Sequence, residues 1–144
     1  MSESTADPHA ADKLRAAATL VRELAEGATH EGRTAWRPGH TLTSRSPVVI
    51  DDEEQPSVLI ESWAPRLEVV NAYIAAMGPG LGLLLAELLM DRARRHDALT
   101  QAARETWPKE PEEQARFVAT HQDGPALAVA ERLLGAAAVE GGAR

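Results

Sequence analysis

Cysteine is absent from the 144 residues, which excludes disulfides, thiolate zinc sites and thiol nucleophiles together. Aromatic residues are scarce: Trp36, Trp63, Trp107, Tyr73 and Phe117 are the whole supply. With few rings to fill a thick sheet core, and with alanine and leucine dominant, the composition favours thin, closely packed helices. Lysine is reduced to Lys13 and Lys109, and the formal net charge is -7. Binding along a phosphate backbone needs clustered cations to displace counterions, so nucleic acid is not the expected partner. Long apolar runs are missing too. The longest uncharged stretch, residues 69–86, is interrupted by Gly78, Pro79 and Gly80, which argues against a membrane span. The opening MSESTADPHAADK lacks the basic and apolar regions of a secretory signal. A cytoplasmic protein without a membrane segment is expected.

The apolar residues concentrate in residues 67–89, where LEVVNAYIAAM and GLGLLLAELL flank the elbow Met77-Gly78-Pro79-Gly80. A chain of this length buries roughly 68 to 70 % of its unfolded surface as one domain, so a single domain over 1–140 is expected, with 136–144 as a flexible tail. The fold class expected is α+β, mainly α: four to five helices, with a small three-stranded antiparallel β segment between the first two.

Asp7-Pro8 suits a helix start, because an Asp side chain accepts from the free amides of a first turn and proline fits the first helical position. Leu14, Ala17, Val21, Leu24 and Ala25 recur at i, i+3, i+4 spacing, which predicts a helix over 8–26 stopped by Gly27. The segment 34–63 carries proline, glycine and short β-branched runs, PVVI and VLIESW among them, and reads as three strands. Trp36, His40 and Leu42 fall on one side of the first, and the last two form a hairpin. Their connection, with Asp51, Asp52, Glu53 and Glu54 in succession, repels itself into water. It also offers oxygens to a divalent cation, although the alternating ligands and central glycine of an EF-hand loop are missing.

A second helix is expected over 65–77, with Leu67, Val70, Ile74 and Met77 on one stripe and Val69, Tyr73 and Ala76 on another, hence buried on two sides. Gly78 or Gly80 at the elbow is expected to adopt a conformation that a Cβ resists. A third helix over 79–107 would reach roughly 40 Å, so its far half projects or pairs with something. Helices over 112–120 and 125–135 follow, the last opened by Asp123 and stopped by Gly135.

Catalytic patterns are thin. GPGLG lacks the lysine and hydroxyl of a phosphate-binding loop. His9, His30, His40, His96 and His121 include no H-x-x-x-H pair, and Ser44 and Ser46 lack a nucleophile-elbow context. Glu23 and Glu26 match half of the paired-carboxylate pattern of the all-α nucleotide pyrophosphohydrolases. Glu87 and Asp91, four apart, do not complete it. His96 between Arg95 and Asp97 reads as a helix-surface residue. No cofactor and no metal are expected.

The combination of KLRAAATLVRELAEGAT followed by a tryptophan, NAYIAAMGPGLGLLLAELL, and PALAVAERLLG resembles small uncharacterised proteins of actinobacteria and their phages, over about half the chain. The preference for arginine over lysine is typical of GC-rich coding and agrees. The resemblance implies an accessory-genome or prophage origin and brings no activity with it. The insertion TWPKEPEEQARFVATHQDG departs from that pattern.

The function expected is that of a non-enzymatic interaction protein, a homodimer acting through a protein partner. Its contact residues are Leu84, Leu85, Leu88, Leu89, Arg92, Arg95 and Trp107, the leucines buried and the charges paired by an antiparallel second copy. The first alternative is a nucleic-acid-associated regulatory module using the strip Arg92, Arg94, Arg95 and Arg104, which Asp91, Asp97 and Glu105 partly neutralise. The second is a metal-dependent nucleotide hydrolase.

Overall fold

The computed structural model describes residues 6–42, 45–51, 58–61 and 67–141. It is mainly α with a small sheet: α1 (Ala10–Ala28), β1 (Trp36–His40), β2 (Pro47–Asp51), β3 (Val58–Glu61), α2 (Leu67–Ala76), α3 (Pro79–Thr106), α4 (Pro111–His121) and α5 (Gly124–Gly141). Two compact units are distinguished, one of Met1–Val21 with Leu85–Arg144 and one of Arg22–Leu84, a division that the sequence does not announce. Among the described residues no helix is long and apolar enough to cross a membrane.

The first unit is helical. Ala10, Leu14, Ala17 and Ala18 of α1 meet Leu89 and Ala93 of α3 and Leu127 and Ala130 of α5 in one buried cluster. Five of these eight residues are alanines, so the helix backbones approach closely. Leu85, Met90, Ala126, Leu133 and Leu134 pack around them. Asp7 opens α1 as expected: its carboxylate accepts from the His9 amide at 2.9 Å and from Lys13 Nζ at 2.7 Å. Lys13 donates onward to Glu131 at 3.0 Å. The Lys13 ammonium, followed by the His9 amide, holds the Asp7 carboxyl below its usual range. Asp123 performs the same service for α5, accepting from the Ala126 amide at 3.0 Å. Trp107 sets its ring 5.3 Å from that of Phe117, while Gln114 donates to the Trp107 carbonyl at 2.6 Å, and together these fold α4 back after the proline-rich turn.

Both glycine stops fail. α1 runs through Gly27 to Ala28 and α5 through Gly135 to Gly141. A helical glycine costs only about 1 kcal/mol relative to alanine, and the alanines following Gly135 outweigh it; 136–141 is helix rather than tail. Leu24 of α1 is exposed, while Val21 and Ala25 of the same expected stripe are buried. The far half of α3 does not project as a bare rod: Ala93 and Ala103 are fully buried.

The second unit holds the sheet, of order β1-β2-β3 and antiparallel throughout. β1 is an edge strand, so Pro38 opposite Val49 removes no needed ladder bond. Its expected alternation is absent: Trp36 and Gly39 are half-buried, while Arg37, Pro38, His40 and, just beyond, Leu42 are exposed. In β2, Val48, Val49, Ile50 and Asp51 are buried in succession. Successive strand residues face opposite sides, so both faces of β2 are covered. α2 packs on β1 and β2.

Asp51 corrects the expectation of a solvated acidic loop. It ends β2, is 1 % exposed and pairs with Arg33 at 3.0 Å. The rest of that loop, Asp52, Glu53 and Glu54, lies outside the described residues, as do Ser44, Trp63 and Pro65. The two-sided burial of α2 is also overturned where side chains are described: Tyr73, Ala76 and Met77 are exposed, and the buried residues are Asn71 and Ala75. The helix presents its small side to the sheet, and the approach is close. At Gly78 an added Cβ would stand 3.2 Å from the Ala75 carbonyl oxygen and 3.2 Å from Trp36 Cβ. That crowding, not backbone conformation, is what asks for glycine: Gly32 alone among the described glycines has positive φ. Gly80 donates its amide to the Thr34 carbonyl at 3.0 Å.

Candidate functional site

α3 is 28 residues long, and a straight helix has two sides. Ala86, Leu89, Ala93 and Ala103 mark the inward side by their burial. Opposite them, Leu81, Leu84, Leu88, Asp91, Arg95, Ala98, Ala102 and Glu105 recur at alternating steps of three and four, the a and d positions of a heptad. All but Asp91 are exposed, and Asp91 is half-buried. Leu84 and Leu88, one turn apart, stand 63 % and 47 % open.

The seven expected contact residues therefore do not share one face. Leu84 and Leu88 point outward, Leu89 is a fully buried core residue, and Leu85 packs beside it. Arg92 turns to Asp123, just before α5, at 3.2 Å. Arg95 closes an i,i+4 pair with Asp91 at 2.8 Å. Trp107 is half-buried on Phe117. Residues the expectation missed are Leu81, Ala98 and Ala102, all at the heptad spacing. Tyr73 of α2 and Met77 just after it are likewise open, at 70 % and 50 %.

A second place with polar side chains lies on the inward side of α3, where clefts of about 500, 360 and 400 Å³ all border His96. Its Nε2 is buried with no hydrogen-bond partner among the described residues. The groups around it are mostly engaged elsewhere. Thr100 donates its hydroxyl to the His96 carbonyl at 3.0 Å, and Arg15 joins Asp12 and Asp97. His121 Nδ1 lies 2.8 Å from the Phe117 carbonyl oxygen. Among the described residues no carboxylate is bonded to the imidazole, the partner that orients a general base. Glu23, Glu26 and Glu87 are exposed, and among the described residues no three His, Asp or Glu side chains cluster closely enough to hold a metal ion.

Comparison with protein-family models, with curated proteins and with solved structures finds no match.

Proposed function

We propose that this chain is a small non-enzymatic interaction protein that acts as a homodimer toward a protein partner, with the exposed leucine face of α3 as the contact between copies. The observation that supports this is the choice the helix makes among its own large side chains. Leu83, Leu85, Leu89, Met90 and Leu99 turn wholly or partly inward, yet Leu81, Leu84 and Leu88 are left open in a row. An apolar line left open along a helix marks an interaction surface more readily than scattered exposed leucines do. A cytoplasmic setting accords with the acidic, cysteine-free composition, and an accessory-genome or phage origin with the sequence resemblance.

The nucleic-acid alternative draws less support, because three of the four arginines on α3 are already answered: Arg92 by Asp123, and Arg94 and Arg95 by Asp91. Sedimentation equilibrium over a hundredfold concentration range tests the homodimer. A mass approaching twice 15.5 kDa is expected, reverting toward one chain in Leu84→Glu/Leu88→Glu. A wild-type mass that stays at 15.5 kDa throughout would remove the proposal.

A further inference from the structure

From Leu84 to Ala102 the outward line of α3 is complementary to itself read from the other end. Counted from Ala93, Asp91 and Arg95 stand two residues to either side, Leu88 and Ala98 five, and Leu84 and Ala102 nine. Each outward pair joins opposite charges or joins a large apolar residue to a small one. Resting on the homodimer proposed above, we infer that two copies pair through α3 in antiparallel orientation, in the register that places Ala93 of one helix level with Ala93 of the other.

In that register Asp91 of each copy meets Arg95 of the second, Leu88 seats on Ala98, and Leu84 seats on Ala102. Two identical contacts of each kind form, as a twofold interface requires. Leucine opposite alanine holds the helix separation even along the seam, and each leucine fills space that an alanine leaves. Arg95 already lies 2.8 Å from Asp91 on its own helix, so the second copy completes a ring of two carboxylates and two guanidiniums at the centre. Leu81 falls opposite Glu105 at the outer end, beside the helix terminus, where water reaches the carboxylate.

The parallel arrangement is disfavoured by the same residues. It would set Asp91 against Asp91 and Arg95 against Arg95, and like charges across an interface cost several kcal/mol. It would also stack leucine on leucine at one end and alanine on alanine at the other, forcing the helices apart where Leu84 and Leu88 meet and leaving a gap at Ala98 and Ala102.

Because the chain has no cysteine, introduced thiols report the register without interference. Leu88→Cys, Ala98→Cys and the double variant are oxidised under mild conditions and run on a non-reducing gel, with wild-type mass measured alongside by sedimentation. Positions 88 and 98 lie about 15 Å apart along one helix, beyond the roughly 7 Å that a disulfide spans, so no bond within one chain competes. Covalent dimer from the double variant and from neither single variant is the expected result. Cross-linking of Leu88→Cys alone would bring the two copies of residue 88 together, as parallel helices or an antiparallel pair centred on residue 88 would, and so overturn the register while leaving the homodimer intact. A wild-type dimer with no cross-link in any variant would move the contact off this face. A wild-type monomer would overturn both the register and the homodimer.

The charge pair gives an independent reading. Asp91→Arg should weaken dimerisation by about tenfold or more, and Asp91→Arg/Arg95→Asp should restore it. Equal dimerisation in all three proteins would sink the central charge contact.

Discussion

Replacing Asn71 with leucine should stabilise the protein, although it alters one of the largest fully buried side chains of the second unit. Asn71 is 1 % exposed, and among the described residues neither its amide nitrogen nor its carbonyl oxygen has a hydrogen-bond partner. An amide buried without compensation costs about 1 to 3 kcal/mol on protein mutational scales. Leucine has the same number of side-chain heavy atoms and the same branch point. It removes that cost and adds about 1.5 to 3 kcal/mol of apolar burial. Against this stands the greater bulk of two methyl groups in a packed position, about 1 to 3 kcal/mol if neighbours cannot shift. The terms leave a net gain of about 2 kcal/mol, which for a domain of this size raises Tm by about 8 °C. Thermal melting followed by circular dichroism measures it, with urea unfolding as the check that the slope is unchanged and the gain is one of stability. Asn71→Asp supplies the opposite sign: burial disfavours an ionised carboxylate at this 1 % exposed position, so this variant should melt well below the wild type at neutral pH and recover in acid as the carboxyl becomes neutral. A leucine variant that melts several degrees lower than the wild type would show that the amide is bonded in solution, and the reasoning would fail.

The two elbow glycines should separate. Gly78→Val is expected to cost about 1 to 3 kcal/mol, since the Cβ meets backbone oxygen and Trp36 at 3.2 Å, whereas Gly80→Ala, whose nearest neighbour would be the Thr34 carbonyl oxygen at 3.4 Å, should be neutral or stabilising by up to about 1 kcal/mol from helix propensity; chemical denaturation of both decides it, and equal losses would refute the distinction. Asp7→Asn keeps a capping side chain but loses the ion pair with Lys13 at 2.7 Å, and should lower stability slightly at neutral pH. Because the Asp7 carboxyl is held below its usual value of 3.8, the stability it contributes is complete above the ordinary carboxylate range and is lost as pH falls through the folded-state value. The difference between variant and wild type should therefore close once the pH falls below the lowered folded-state value, and a gap that widens in acid would contradict the assignment.

The element order was legible because each element is set by neighbours in sequence. Amide capping at Asp7 and Asp123, the proline start at Pro79 and the β-branched run PVVI act over a few residues and needed no tertiary information. The 28-residue span of α3 followed from the absence of any breaker between Gly82 and Pro108. Glycine was the least reliable punctuation, since at Gly27 and Gly135 a local cost of about 1 kcal/mol competes with several favourable residues on either side. The candidate contact face was half legible: Leu84 and Leu88 were singled out, but so were Leu85 and Leu89, which lie one position further round the helix and face the core.

By itself the sequence determined which segments are helix or strand, where most of them start, and that no thiol chemistry is possible. Tertiary structure alone decided which side of each element is inside. α2 has two candidate apolar stripes, yet among its described side chains Asn71 and Ala75 are the buried ones, while Tyr73 and Ala76 are exposed. Asp51 belongs by sequence to a run of acids, yet it is buried, because Arg33, eighteen residues earlier, supplies the counter-charge. The leucines of α3 divide between core and surface according to what α1 and α5 cover in the first unit. Periodicity fixes the angle between two residues on a helix, but the direction of burial depends on which surfaces, distant in sequence, come to lie against it.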